Sequence, residues 1–476
     1  MNGAGGPQPA RPEDLRTLGL PAALVPDWPG RFAEAFLRLL GRHRSLRTAL
    51  DNCVRCGVCA GACPVYIETG DPGDSPAALV ELARQARWRL VSFTGRPRRF
   101  RGPGRTVNDG LLARWFHYFH RCLLCRRCAG ACPLGVDPAE VVLAAREVLA
   151  ETGLGGRGAA TLAAAARRTG NSLGLSAEAV RDACLDLEKE LFQSTGVAVR
   201  APVDEKGCEV LFLPPAADLA GNRAGLAGCA LVFHAAGVSW TVSTRAADAA
   251  NYGWFLGYRH LKRINRNVFL AVDQLRPRVV VWGETGHGWR VARNFSDTLS
   301  GPLAGMATLL TKRPLHICEF TEALLLKGAF KGRLDPAAND GWTVTYHDPC
   351  HAARGAGLLD PPRRLLRAAV NRFVEMPGNT IREMTACCGA GAGRLFESDR
   401  TIGGNLRARA FAASGADFLA TTCDDCRAAL PKVLAERPDL PARVGGVLEL
   451  FGRALRPYLE SLGLPETGPG EADDER

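Results

Sequence analysis

Tyr346-His347-Asp348-Pro349-Cys350-His351, Thr385-Ala386-Cys387-Cys388-Gly389 and Thr422-Cys423-Asp424-Asp425-Cys426 are the segments around which the chain is organised. Five of its 17 cysteines lie here, as a single C, then CCG, then CxxC. Adjacent cysteines cannot easily bridge to one another, and a disulfide framework does not suit a chain without a secretory leader pattern. Thiolates are soft ligands, so a loop-borne group of them points to iron–sulfur ligation or to zinc. Zinc takes four ligands in a closed tetrahedron, one fewer than the cysteines present. Scattered structural cysteines or a zinc knuckle are the plainer alternatives. Cys350, Cys387, Cys388, Cys423 and Cys426 are the candidate metal ligands, and Gly389 is the residue that lets backbone pass close to the bound group.

Upstream, Cys53-x-x-Cys56-x-x-Cys59-x-x-x-Cys63-Pro64 recurs as Cys122-x-x-Cys125-x-x-Cys128-x-x-x-Cys132-Pro133. Two copies of this spacing are the two-cluster ferredoxin signature. Three closely spaced thiolates hold one cubane, and the fourth, just before a proline, serves the other. This assigns Cys53, Cys56, Cys59 and Cys132 to one cubane [4Fe–4S] cluster, and Cys122, Cys125, Cys128 and Cys63 to the second, with a pair of zinc sites as the alternative. All-cysteine ligation leaves no open iron position, so such a pair is an electron relay. The insertion between the motifs reads as helix. Ser75-Pro76 is a cap followed by an N1 proline, and Leu79, Leu82, Ala86 and Leu90 follow at helical spacing. Asp137-Pro138-Ala139-Glu140 is a second start, of capping-box type. The stripe Val141, Ala144, Ala145, Val148 follows it, with an end near Gly153.

Length and composition, 476 residues with 46% apolar and 23% charged, predict a globular protein of about two to four domains. No apolar run reaches the roughly 18 residues of a membrane span. The best stretch, Leu226 to Trp240, reads as strand and turn. The first thirty residues lack a secretory pattern, which with reduced cysteines predicts a cytoplasmic location. The net charge of +11 is spread along the chain, and its densest run is Arg96, Arg98, Arg99, Arg101 and Arg105. Without interleaved aromatics that run does not suggest nucleic acid, and it fits anionic lipid or an acidic partner better. No GxGxxG links a strand to a helix, so neither NAD nor FAD is expected on this chain.

Six segments follow. Residues 1–50 form a helical docking segment, with Phe32, Phe36, Leu39, Leu40, Leu46 and Leu50 at helical spacing. Residues 51–154 form the α-helical two-cluster ferredoxin domain, and 155–206 an alanine-rich helical linker. Residues 207–335 and 336–455 are α/β halves. Their strand candidates are Glu209–Leu213, Ala230–Phe233, Val279–Trp282, Thr343–Tyr346 and Asp417–Ala420. Residues 456–476 are a disordered tail. A shift of 134 sets Gly207–Ala216 on Gly341–Cys350, a shift of 136 sets Asn251-Tyr252-Gly253 on Cys387-Cys388-Gly389, and one of 139 sets Glu284 and His287 on Cys423 and Cys426. The α/β region is thus a duplication whose first copy has lost its cysteine ligands. Two unrelated units are the alternative.

The C, CCG, CxxC pattern resembles the CCG module of heterodisulfide-reductase-type proteins, and the helical ferredoxin domain resembles those of succinate dehydrogenase and heterodisulfide reductase. The resemblance implies one non-cubane [4Fe–4S] cluster on Cys350, Cys387, Cys388, Cys423 and Cys426, at which a disulfide is made or broken. It continues through Trp115–Cys128, Gly135–Glu140, Val232–Trp240, Trp282–Arg290 and Thr380–Glu383. Over residues 50 to 455 the chain resembles the DsrK-type subunits of DsrMKJOP membrane complexes associated with dissimilatory sulfite reductase. One departure is Thr285, where that resemblance leads one to expect cysteine.

The likeness implies an oxidoreductase acting on sulfur groups, attached peripherally to the inner face of the cell membrane. Its implied partners are a b-haem, quinone-reactive membrane subunit, other DsrMKJOP-type subunits and a DsrC-like two-cysteine carrier whose disulfide or trisulfide is the substrate. His347 and His351 flank Cys350, where they either protonate a departing thiolate or hydrogen-bond backbone and cluster sulfides. Glu284 and His287 line the degenerate copy's site, with packing roles as the alternative. Cys184, Cys208, Cys229 and Cys318 read as small buried hydrophobes. A pure electron-relay subunit, or the iron–sulfur subunit of a flavin-linked hydroxy-acid or glycerol-3-phosphate dehydrogenase, are the competing functions.

Overall fold

Long apolar stripes need long partners, and the N-terminal third supplies them to itself. The computed structural model describes residues 8–91, 107–300, 314–391, 393, 402–437 and 443–463. The arginine run expected in a basic loop lies outside these. Helix Trp28–Arg42, capped by Asp27, turns Phe32, Phe36 and Leu39 inward. Their partner is Trp115 on helix Asp109–Arg121, with ring centroids 4.5 Å from Phe32 and 5.4 Å from Phe36. The apolar face of this docking segment is therefore covered by the chain's own core.

Helix Pro138–Glu151 is buried along nearly its whole length, which explains why it is apolar almost all round. Its cap is Asp137, which accepts from the Ala139 amide, while Glu140 reaches Ser45 at 3.4 Å rather than closing the expected capping box. Two buried arginines then finish the helices that lead into the cysteine motifs. Arg84 donates to the carbonyls of Leu50 and Cys53, and Arg146 to those of Phe119, His120 and Cys122. Each places positive charge at a helix C-terminus and satisfies carbonyls that have no partner within their helix.

The α/β region holds two parallel sheets. Strands β1 (Val210–Leu213), β2 (Trp240–Val242), β3 (Val279–Trp282) and β4 (Leu315–His316) lie in the order β2-β1-β3-β4. Strands β5 (Val344–His347), β6 (Phe418–Thr421) and β7 (Arg443–Gly446) lie in the order β5-β6-β7. Val210 pairs with Val279 as Val344 pairs with Phe418, and a parallel bridge from Phe373 to Val344 takes the place of β2 in the second half. The same register in both sheets is the duplication seen in space.

Two expectations are corrected. Ala230–Phe233 is not a strand but part of helix Ala224–Ala235, and the strand of that unit is β2. A short apolar run does not distinguish a buried strand from a buried helix. This helix is apolar over nearly all its surface, His234 excepted, because it is wedged against helix Val447–Gly463. The fit is so close that a Cβ on Gly228 would stand 1.9 Å from the Leu448 carbonyl oxygen. The second correction concerns the tail, since helix Val447–Gly463 runs past residue 456, and of the expected tail the residues from 464 lie outside the described ones. Among the described residues, no helix is long and apolar enough to cross a membrane.

Strand β4 ends in His316, which is fully buried and caps helix Ile317–Leu326 by accepting the Cys318 amide at 3.1 Å. Burial pulls its pKa down to about 3. An unfolded histidine protonates near 6.5, so folding stability is complete above that pH. It then falls by about 1.4 kcal/mol for each pH unit below it, until the folded-state value is reached. His316→Asn keeps a capping side chain and removes the titration. Its denaturant-unfolding free energy should lose less than the wild type between pH 7 and pH 5. Equal slopes for the two proteins would show that His316 does not carry this term.

Candidate metal centres and their frame

The eight cysteines of the paired motif separate into two cavities. One is lined by Cys53, Cys56, Cys59 and Cys132, the other by Cys63, Cys122, Cys125 and Cys128. Each cavity thus draws three thiols from one motif and the fourth from the other. The loops that shape them share a backbone signature. Arg55 and Leu124, both two residues after the first cysteine, have φ of 58° and 52°, and Gly57 and Arg126 have φ of 82° and 60°. Left-handed backbone at a non-glycine costs about 1–3 kcal/mol and persists where surroundings demand it. Left-handed residues in short loops are a feature of anion-binding nests, and they suit a cluster carrying thiolate charge.

The other five cysteines meet at the carboxyl ends of β5 and β6, where ligand sites of open parallel sheets lie. Cys350 follows β5. Cys423 follows β6 and caps helix Asp424–Leu434, its sulfur accepting the Cys426 amide at 3.4 Å. Cys387 and Cys388 arrive on a loop in which Gly389 has φ of 91°, a conformation that favours glycine. All five are buried. They are also in mutual contact. Hydrogen bonds from the Cys350 and Cys388 thiols hold the Cys387 pKa well down, while the same bonds, with burial, raise Cys350 and Cys388. Burial and neighbouring thiols raise Cys426. So many thiols packed together cannot all ionise unless a cation-bearing group neutralises them, and a metal cluster does that. The residues present fit one.

His347 supports the same conclusion. It is fully buried, neither ring nitrogen has a hydrogen-bond partner among the described residues, and a ring nitrogen lies within 4.8 Å of the Cys388 and Cys426 sulfurs. Burial, and then the charge of Arg407, hold its pKa well below the usual histidine value. A neutral imidazole carries one N–H to donate, and the sulfurs of Cys388 and Cys426 stand beside it.

The frame around this site rests on charges from distant parts of the chain. Asp348 accepts both Arg363 guanidinium nitrogens at 2.6 and 2.8 Å and the Arg382 amide at 2.8 Å, and its carbonyl accepts the Thr385 hydroxyl at 2.8 Å. The Cys350 loop is thereby tied to the CCG loop. Arg407, fully buried and lowered to about 10 by that burial, donates to the carbonyls of Thr380 and Ala386 and to the Thr385 hydroxyl. Arg354 joins the two metal regions, donating to the carbonyls of Cys125, Glu383 and Thr385. Gly391 closes the joint, since a Cβ there would stand 2.3 Å from the Leu123 carbonyl oxygen.

Comparison with known proteins agrees with this division. Residues 49–136 match the 4Fe-4S dicluster domain, and residues 344–431 match the cysteine-rich CCG domain. Across nearly the whole chain it is similar to the Hdr-like menaquinol oxidoreductase iron-sulfur subunit 2 of Archaeoglobus fulgidus, with 33% identity over 93% of this chain and 85% of that protein. The chain belongs to this Hdr-like iron–sulfur subunit family. The corresponding subunit of Archaeoglobus profundus is 32% identical over 91% of this chain and 84% of its own. A subunit of the dihydromethanophenazine:CoB–CoM heterodisulfide reductase of Methanosarcina acetivorans is 26% identical over 79% of this chain and 87% of its own. An Hdr-like iron–sulfur protein of the oxidoreductase class is the common denominator.

Not every residue singled out in this Hdr-like subunit stands where expected. His347 lies beside the thiols of Cys388 and Cys426, whereas His351 pairs with Arg290, at 3.3 Å, and packs on the ring of Trp254. Its other ring nitrogen has no partner, and burial and Arg290 keep its pKa well below the ordinary value. Thr285 is fully buried with an unpartnered hydroxyl. Cys184, Cys208, Cys229 and Cys318 are buried, as expected. Asp348 stood within the quoted motif, but Arg354, Arg363 and Arg407 carry no local signal. An arginine in an amphipathic helix looks the same in sequence whether it faces solvent or a buried carbonyl.

Proposed function

We propose that this chain is the electron-transferring iron–sulfur subunit of a membrane-associated Hdr-like complex. In this reading it moves electrons between a quinol-linked partner and a protein-borne disulfide or trisulfide. The observation that carries the reading is the junction of the two metal regions. Cys125, from the second cubane site, lies in the same buried core as Cys350, Cys387, Cys388, Cys423 and Cys426. Burial, and then the nearby Cys387, push its thiol up to about 12. Cys56, in the other cavity, is exposed. The order from surface to interior is therefore the site of Cys53, Cys56, Cys59 and Cys132, then that of Cys63, Cys122, Cys125 and Cys128, then the five-cysteine site.

We assign two cubane [4Fe–4S] clusters to the first two sites and one non-cubane [4Fe–4S] cluster to the third. When bound, these groups supply one-electron transfer along the relay and sulfur redox chemistry at its end. The chain's own residues do the rest. Arg354 holds the second and third sites together and puts a positive charge between them, His347 offers an N–H to sulfur, and Asp348, Arg363 and Arg407 fix the loops that carry the thiols. The finer reading is a DsrK-type subunit. Its partners would be a b-haem, quinone-reactive membrane subunit, other DsrMKJOP-type subunits and a DsrC-like two-cysteine carrier, with attachment at the cytoplasmic face. The relatives named as menaquinol oxidoreductase subunits support the quinol side of this assignment.

A pure relay is the second reading, and the burial of all five thiols favours it. EPR of anaerobically prepared protein, with and without an oxidised two-cysteine carrier, separates the two. A paramagnetic signal that appears only with the oxidised carrier is expected. Unchanged spectra from a cluster-replete sample would leave the relay.

A further inference from the structure

The duplication places a first-half residue at each of the five positions that carry a cysteine in the second, with Ala216 standing for Cys350. Asn251 and Tyr252 stand for Cys387 and Cys388, Glu284 for Cys423 and His287 for Cys426. A lost ligand site would be expected to fill with apolar side chains. Ala216 aside, this one filled with polar groups, all buried, and three of those four reach across into the second half.

The Tyr252 hydroxyl donates to Asp425 Oδ1 at 2.6 Å, and His287 Nδ1 lies 3.1 Å from Asp425 Oδ2. The Asn251 amide donates to His287 Nε2 at 3.2 Å, so the ring proton sits on Nδ1, facing the carboxylate. Asn251 is held in turn, its side-chain amide donating to Asn265 at 2.8 Å. The Glu284 carbonyl accepts the Asp424 amide at 2.9 Å, and its carboxylate accepts the amides of Val447 and Leu448 at 2.8 and 3.1 Å. Arg427, one residue after Cys426, is bound by Asp218 at 2.7 Å. Gly286 lies against the Cys423 sulfur, where a Cβ would come to 3.0 Å. The contacts of Tyr252, His287 and the Glu284 carbonyl end on the Cys423-Asp424-Asp425-Cys426 turn, and Asn251 holds His287 in place behind them.

We infer that Asn251, Tyr252, Glu284 and His287 are positioning residues for Cys423 and Cys426, the vacated ligand positions of one half having become the scaffold that orients two ligands of the other. The inference rests on the five-cysteine centre proposed above. Its physical logic is that of groups behind a metal ligand, which fix the ligand's direction and alter affinity by about 10–100-fold when removed. Here they act through the backbone and carboxylate of the residues between the cysteines.

The test compares Tyr252→Phe, His287→Leu and His287→Gln in the full-length protein, prepared anaerobically, by EPR redox titration and iron analysis. The signals of the two cubanes serve as the internal control for folding. Tyr252→Phe and His287→Leu should shift the g-values or reduction potential of the five-cysteine centre, or lower its occupancy by about tenfold, with the cubane signals retained. His287→Gln, which can still donate to Asp425, should restore it. Tyr252→Phe loses one hydroxyl and keeps the ring, so it decides the matter if His287→Leu loses the cubanes as well. A five-cysteine centre with wild-type signal, potential and occupancy in Tyr252→Phe and in a folded His287→Leu would overturn the inference. Wild-type protein holding only the iron of two cubanes would instead overturn the proposed function on which it rests.

Discussion

Cys388→Ser should abolish the five-cysteine centre and spare the two cubanes. Cys388 sits in the middle of the thiol group, in hydrogen-bond contact with Cys387 and Cys426 and close to the unpartnered imidazole of His347. Serine replaces a soft, polarizable sulfur with a hard oxygen that ionises only at far higher pH, so an iron site loses both ligand strength and charge balance. Neither cubane cavity is lined by Cys388. The expected result is a loss of about four of about twelve irons, retained cubane EPR signals, and loss of any signal induced by an oxidised thiol carrier. Iron content and carrier-induced signal equal to those of wild type would remove Cys388 from the ligand set. Loss of the cubane signals as well would show that the three sites assemble as one unit.

Arg363→Met should be the most destabilising single change in the frame. Arg363 and Asp348 are both essentially unexposed, and the guanidinium also holds Glu375 at 2.7 Å. Removing one member of a buried pair leaves the other charge without compensation and costs about 3–5 kcal/mol. The consequence should reach the metal site, because Asp348 also anchors the Arg382 amide and, through its carbonyl, Thr385. Urea unfolding of the anaerobic protein should show the loss, with the five-cysteine centre depleted before the cubanes. The double variant Arg363→Met/Asp348→Asn should recover part of the stability, since the stranded charge is gone. A single variant within about 0.5 kcal/mol of wild type would show that the pair contributes no more than a surface substitution does.

The cysteine spacings carried the most information of any feature in this chain. A cysteine motif is local, so the ligation pattern is written in a few consecutive residues and survives without knowledge of the fold. The two cavities each bring together three of the eight ferredoxin-type cysteines from one copy and one from the other. The duplication was legible as offsets of 134 and 139 because β1 and β5, and β3 and β6, keep the same pairing register. The helix Ala224–Ala235 was misread for a physical reason. A helix packed on nearly all sides loses the polar face that gives helices their period, and a short apolar stretch such as Ala230–Phe233 then resembles a strand.

By itself, then, the sequence determined what is local: which thiols belong together, where the helices are capped at Ser75 and Asp137, and that the two α/β halves share one plan. Only the tertiary structure decided which metal site adjoins which, through Cys125 and Arg354, and that His347 lies beside the sulfurs of Cys388 and Cys426 while His351 pairs with Arg290. It also decided that Tyr252 and His287, more than a hundred residues from Cys423 in the chain, reach the turn that carries it. Contacts of that kind arise when two separately coded surfaces dock. No periodicity or spacing along the chain records them, because the partner of each side chain is chosen by packing and by the need to satisfy buried polar groups.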